Sequence, residues 1–381
     1  MTAQKERLMR STRPSIAALA GITILASISI FAADLSTSAP AASAGARSDW
    51  RGDDDRRDLH SLDGSVWVVN RDLGELTIFD AGSGKVLRQL GVGAGAHDIC
   101  ISEQAHKAYI TAETLNQVTT VDTRTLEIET IDVGPLPHHV EPSRDGKTIY
   151  VTLASHTPSV GAPQYATINT EDNSVAYVTS SNNPLARSHG PYPSRDGQTI
   201  YIAHDTGDEL TAVDTPTGTI DFSVGPIVRA EEVIQTRAGT YLWVSSRGDG
   251  SVKRIKIGRN EAPKSIPVGV QPESLMLTPS ERTLVVSLRG TPAALGFVDT
   301  VSMSLEGTLP IAGAGTAGDL AVMTPDGRYV FATFDYATTS SANKGGVAVV
   351  HVPTRRIVAT WTYPGTGRPH GVWYSSRKPR F

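Results

Sequence analysis

Cysteine is nearly absent: Cys100 is the single one in 381 residues. One thiol cannot close an internal disulfide, and no C-x-x-C-H haem-attachment sequence can be built from it. Stability has to come from packing. Cys100 lies in the apolar run Asp98-Ile-Cys-Ile-Ser102 and is expected to be a buried structural thiol. Excess positive charge is absent as well. Thirty-five Lys and Arg against 39 Asp and Glu leave a net charge of −4, so no basic face for nucleic acid is expected. G-x-S-x-G, P-loop and H-E-x-x-H sequences are all missing. The run Gly91-Val-Gly-Ala-Gly95 leads from one strand pattern into another rather than into a helix, so it marks no nucleotide site.

Long apolar runs are also scarce. The one present, Ile16 to Ala33, follows Lys5, Arg7, Arg10 and Arg13 and precedes the small-residue sites Ala42-Ser43-Ala44 and Ala44-Gly45-Ala46. This is the layout of a secretory signal peptide over residues 1–44. A retained anchor is the alternative, because about 18 apolar residues just span a bilayer. With the signal cleaved, no stable membrane span remains. No Cys lies at the cleavage region, and Arg13 stands without a twin. Residues 45–64, with Asp53-Asp54-Asp55 followed by Arg56-Arg57, read as a charged, solvated linker. The expected location is secreted, periplasmic or on the cell surface.

What the chain has in quantity is turns: 35 Gly and 23 Pro are spread along its length. Between them one phrase recurs, an apolar alternation ending in Ser or Thr. It runs His97 to Ser102, His138 to Ser143, His189 to Ser194, Glu231 to Thr236, Glu273 to Thr278, Asp319 to Thr324 and His370 to Ser375. Successive copies start 41 to 51 residues apart. A period in the forties with four short strands per unit is the signature of a propeller blade. Asp145-Gly146, Asp196-Gly197 and Asp326-Gly327 follow three of the phrases, and Asp-Gly between alternating strands marks a hairpin. The last phrase has no second strand after it. The N-terminal segments Val66-Trp-Val-Val, Leu76-Thr-Ile-Phe-Asp and Val86-Leu-Arg-Gln-Leu supply the missing strands. The expected fold is all-β: residues 65–381 form a seven-bladed β-propeller of four-stranded blades, with the last blade shared between the N- and C-termini. Such closure removes exposed sheet edges. A monomer is expected.

Tyr150-Val-Thr-Leu after Arg144-Asp-Gly-Lys147, with Val-Asp-Thr at 121, 213 and 298 and Val-Gly at 133, 224 and 268, resembles the YVTN-repeat propellers. The resemblance spans about residues 65–376. It extends loosely to the propellers of cytochrome d1, nitrous oxide reductase and the lactonases. It implies a fold superfamily and leaves the activity open. The turns at Thr236-Arg-Ala-Gly-Thr and Thr278-Pro-Ser-Glu-Arg depart from the pattern, and inserts interrupt it near 156–164 and 337–345.

Five positions before the Ser or Thr of each phrase stands an ionisable side chain: His97, His138, His189, Glu231, Glu273, Asp319 and His370. Ten His in 381 residues would place about 0.2 in seven positions by chance; four are there. First strands of propeller blades line the channel. The column is therefore expected to form a ring, imidazoles on one arc and carboxylates on the other. Three readings stay open. The histidines ligate a transition metal (copper, iron or zinc), with Glu231, Glu273 and Asp319 as supporting or proton-handling groups. Alternatively the channel is polar and watered, or it grips a small ligand. A metal held by four histidines on the axis matches the layout of the carotenoid-cleaving oxygenases, by analogy of architecture alone. Second-strand exits add a ligand-binding layer at the same face: Arg71, Glu113, Ala154, Asp205, Arg247, Arg289 and Asp335, with His156 and His204 beside them. His139 is expected to point away from the axis, since strand neighbours alternate. The functions that follow are metal-dependent oxidation, a non-catalytic module for a small molecule or a cell-envelope or protein partner, and a lactonase-like hydrolase. Catalytic candidates are Glu231, Glu273 and Asp319.

Overall fold

The computed structural model describes residues 58–154, 164–259, 261–336 and 344–379. The expected signal peptide, residues 45–57 of the expected linker and His156 lie outside the described residues. Among the described residues no helix is long and apolar enough to cross a membrane.

Seven four-stranded antiparallel sheets follow one another in chain order. The innermost strands are Ala96–Ser102, Pro137–Pro142, Arg187–Pro193, Ala230–Gln235, Pro272–Leu277, Thr316–Met323 and Pro369–Ser375. Each touches the innermost strand on either side, and the ring closes from Thr316–Met323 through Pro369–Ser375 to Ala96–Ser102. The closing blade joins Pro369–Ser375 to Ser65–Asn70, with Ser65 opposite Ser375 and Trp67 opposite Trp373, then to Glu75–Asp80 and Val86–Gly91. The C-terminal strand thus completes a sheet begun three hundred residues earlier, as the unfinished last phrase predicts.

Apolar clusters fill the wedges between blades. One joins Val66, Val68, Phe79 and Val372 of the shared blade to Phe331, Val347, Trp361 and Tyr363 of the Asp319 blade. Leu59, within the segment expected to be a solvated linker, is buried in this same cluster. Cys100 is buried against Tyr109, Val140 and Val151, and its thiol is pushed well up by burial, which makes it inert.

The turns explain their own sequence. In Ser143–Lys147, Asp145 accepts hydrogen bonds from the Ser143 hydroxyl at 2.7 Å and the Lys147 N–H at 3.1 Å, while Gly146 takes φ 68°. Ser194 and Asp196 repeat the device, as do Thr324 and Asp326. Where Thr278-Pro-Ser-Glu-Arg lacks the glycine, Glu281 takes the positive φ at 56°.

One irregularity matters for the site. In all seven blades the pairing of the innermost strand slips at the ionisable column. The slip lies between Ala96 and Ile99, between Pro137 and Val140, between Arg187 and Pro191, between Ala230 and Val233, between Pro272 and Leu275, and between Gly318 and Ala321. In the closing blade it falls opposite Val68 and Asn70. Each is a β-bulge, which breaks the alternation of side chains and re-aims them. A hydroxyl on the second strand fastens most of these bulges. Thr152 accepts the His139 N–H at 3.1 Å and donates to the His189 carbonyl of the next blade at 2.5 Å. Thr111 does the same for Asp98 and His138, at 3.0 and 2.7 Å. Ser245 and Ser287 accept the N–H groups of Glu232 and Ser274. The Thr of the Tyr-Val-Thr phrase is therefore a bulge clamp.

Candidate functional site

The column converges. His97, His138, His189, Glu231, Glu273, Asp319 and His370 are all buried at the axis. Imidazole centroids lie 3.9 Å apart for His97 and His370, 4.1 Å for His97 and His138, and 4.6 Å for His138 and His189. On the other arc, Glu231 reaches His189 Nε2 at 2.6 Å, and Asp319 stands 3.3 Å from His370 Nε2. Neither pair has hydrogen-bonding geometry, so Glu231 Oε2, Asp319 Oδ1 and both His370 nitrogens are left without a hydrogen-bond partner.

The expectation for His139 is corrected. The bulge turns it into the channel, where its ring centroid lies 4.3 Å from His189 and 4.7 Å from His138. It stands in a second layer made by the residues that follow the column, with Asp98 and Glu232. His139 Nδ1 is 3.2 Å from Asp98 Oδ2 and 3.1 Å from Glu232 Oε1. Two other members of this layer are Gly190 and Gly371. A Cβ at Gly190 would sit 2.5 Å from the Glu231 carbonyl, and one at Gly371 would sit 2.8 Å from the His97 carbonyl. Both positions exclude a side chain because the bulged backbones crowd together.

Electrostatics divide the histidines. Burial holds His97, His138, His189 and His370 well below the usual histidine range, so all four are neutral at pH 7. Burial also pulls on His139, but Glu232 and Asp98 outweigh it and raise this group to about 10. Burial raises Glu113 while His138 and Arg71 outweigh it, leaving the carboxyl below its ordinary value. Asp319 is pushed up to about 7 by burial, against the pull of Arg289.

Donor atoms of His97, His138 and His139 lie within 4.8 Å of one another, as do those of His139, His189 and Glu232 and those of His189, Glu231 and Glu273. His97 Nδ1 and His139 Nε2 are buried without a hydrogen-bond partner. His138 Nδ1 is held by Glu113 Oε1 at 2.5 Å. Two of the three imidazoles thus have one nitrogen against a carboxylate, the arrangement that orients histidines toward a metal.

Above this layer lies a cavity of about 340 Å³ lined by Arg71, Glu113, Arg187, Arg247, Glu273 and Arg289, with His97, His138 and His189 at its floor. Five residues of the expected ligand-binding layer therefore meet there: Arg71, Glu113, Ala154, Arg247 and Arg289. Asp205 stands behind Arg187, accepting from its Nε at 2.7 Å, and Asp335 accepts from Arg368 Nε at 2.9 Å. His204 does not line the cavity; it is fully buried within its blade, 2.9 Å from the Thr211 hydroxyl. Below the layer, Asp98, His139, Glu141 and Glu232 face a second cavity of about 410 Å³ walled by Tyr192, Met276 and Trp373. Sequence reasoning missed Asp98, Glu232, His139, Arg187 and Arg368. The first three follow the column directly, and the two arginines precede it by two residues, so a wider alignment of the phrases holds the signal.

No protein-family model and no curated sequence matches this chain. Solved structures do. Kuenenia stuttgartiensis hydrazine synthase is similar over 76% of this chain and 92% of its own, at 16% identity and a TM-score of 0.64. The periplasmic gluconolactonase PpgL of Pseudomonas aeruginosa is similar over 82% and 98%, at 16% identity and a TM-score of 0.62. The dihydro-heme d1 dehydrogenase NirN is similar over 81% and 75%, at 14% identity and a TM-score of 0.57. Likeness at such identities is a likeness of fold: the chain is a seven-bladed β-propeller, built like proteins whose activities differ from one another.

Proposed function

We propose that the channel layer binds a transition-metal ion, copper, iron or zinc, through His97, His138 and His139, with His189 and His370 beside them. The observation that carries this reading is the set of three imidazoles whose donor atoms lie within 4.8 Å, two of them with a buried, unpartnered nitrogen. A buried polar atom without a partner costs about 1–3 kcal/mol. Several gathered at one point are better explained by an ion that satisfies them together than by packing. Neutral imidazoles keep their lone pairs available, and His139 would exchange its proton for the metal.

A bound metal would supply redox chemistry or polarise a substrate oxygen. The chain's own groups do the rest. Glu113 and the pair Asp98 and Glu232 orient His138 and His139. Asp319, near neutrality and opening toward the arginines, is placed to take or give a proton. The reaction class that follows is metal-dependent oxidation of a small molecule, with a single chain as the working unit. The basic, apolar and small-residue segments of residues 1–44 support export of the propeller, in keeping with a neighbour described as periplasmic. A lactonase-like reaction is the second reading; Asp319 beside Arg289 and His370 favours it, as does the fold shared with PpgL.

The test is elemental analysis of untagged protein and of the double variant His97→Ala/His139→Ala. Near-stoichiometric metal in the first and its loss in the second is expected. Stoichiometric metal that survives the double substitution would refute these ligands. A metal-free protein would leave the hydrolase and the non-catalytic binding module, which lactone hydrolysis sensitive to Asp319→Asn would separate.

A further inference from the structure

The upper cavity is walled by four arginines, each from a different blade: Arg71, Arg187, Arg247 and Arg289. A ring built only to neutralise the nearby carboxylates would close its hydrogen bonds on them, because charge-assisted pairs are short and directional. This one does not. Arg289 Nη1 stays 3.4 Å from Asp319 Oδ1 and 3.6 Å from Glu273 Oε2. Neither contact has hydrogen-bonding geometry, and Glu273 Oε2 and Asp319 Oδ1 are left unpartnered. Arg247 reaches Glu231 at 2.8 Å through Nη1, but its Nε has no partner. Arg71 gives Nη2 to Glu113 at 2.6 Å. A guanidinium carries five donors in a planar fork, more than these contacts among the described residues occupy, and Arg247 Nε is buried with none. The floor below them is formed by the imidazoles of His97, His138 and His189, and Glu113 and Glu273 are the carboxylates of the lining.

We propose that this cavity binds a compact oxyanion with at least two negative charges, held by Arg71, Arg187, Arg247 and Arg289. One carboxylate or phosphate face takes one or two guanidinium forks. Four forks from four blades therefore call for anionic groups at more than one edge of the ligand. About 340 Å³ is at the small end of ligand pockets, which selects a di- or tricarboxylate of a few carbons, or phosphate itself. The inference deepens the metal reading by naming the class of substrate above the histidines, but the arginines hold the anion whether or not a metal lies beneath them.

The experiment is titration calorimetry with malonate, succinate, inorganic phosphate and neutral malonamide, on protein stripped of metal and on the same protein reloaded. Metal content and melting temperature are measured on every sample. The dianions should bind in both states and weaken as salt rises, with malonamide at least tenfold weaker than malonate. Arg289→Gln and Arg187→Gln should each lose at least tenfold in affinity while melting cooperatively. Arg356→Gln, on the outer strand Arg356–Thr362, should bind as the parent does. A preference for phosphate over both dicarboxylates would identify the source of the oxyanion as a phosphate group. The proposal is overturned if no anion binds in either state, if malonamide matches malonate, or if both cavity variants bind like the parent. Metal retained without anion binding sinks this inference alone; anion binding by a protein that never holds metal sinks only the metal reading.

Discussion

Replacing Thr152 by Val isolates the device that shapes the site. Thr152 is fully buried, and its hydroxyl joins two blades: it accepts the His139 N–H at 3.1 Å and donates to the His189 carbonyl at 2.5 Å. Valine keeps the shape and removes the oxygen, so no cavity forms. What remains is one buried donor and one buried acceptor without their partner, at about 1–3 kcal/mol each. The sum is about 2–6 kcal/mol. For a ring of this size that corresponds to a fall in melting temperature of about 4–12 °C, taking about 2 °C per kcal/mol. Thermal unfolding followed by circular dichroism reads it, with Thr152→Ser expected to recover most of the loss. Metal retention should fall with Thr152→Val as well, because the bulge that aims His139 is loosened. A Thr152→Val protein that melts with the parent and keeps its metal would refute the claim that the clamp holds the bulge.

Two other outcomes follow from the same structure. Deleting residues 369–381 removes the strand that pairs with Ser65–Asn70 and takes Val372 out of the cluster around Phe331 and Trp361; the truncated chain should lose cooperative unfolding, and one that melts like the intact protein would contradict ring closure. His204 gives a pH dependence. Burial lowers it to about 4, so the unfolded chain gains a proton near pH 6.5 that the folded ring does not take. Its contribution is intact above pH 6.5 and is lost as pH falls toward 4, by up to about 3 kcal/mol. A His204→Gln variant should therefore be less acid-sensitive than the parent in urea titrations at pH 7 and pH 4.5. Identical pH slopes would show that His204 titrates normally.

The blades were legible because each carries its own punctuation: alternation for the strands, Asp-Gly for the turn, and a fixed distance from the closing Ser or Thr back to the column. The unfinished phrase at His370 betrayed the shared blade for the same reason. The site was legible only as far as that fixed distance reached. It delivered His97, His138, His189, His370 and the three acids, whose convergence is a matter of topology. It failed at His139, because alternation holds only where the ladder is regular, and a bulge leaves no mark in one strand's own pattern. The doublets His138-His139 and Glu231-Glu232, with Gly190 and Gly371 in the same register, were the trace of two layers rather than one. Arg187 escaped because it opens the innermost strand two residues ahead of the column, outside the aligned phrase. His204 sits at a strand end like the cavity residues, yet its side chain turns into the blade.

The claim on which the functional account rests is tested most directly by anomalous diffraction from crystals of untagged protein, with data above and below the absorption edge of the metal found by elemental analysis. The account predicts one dominant peak on the channel axis, within about 2.0–2.2 Å of nitrogens from His97, His138 and His139. Density for water alone among those rings, or a metal peak on the outer surface of a blade, would contradict it.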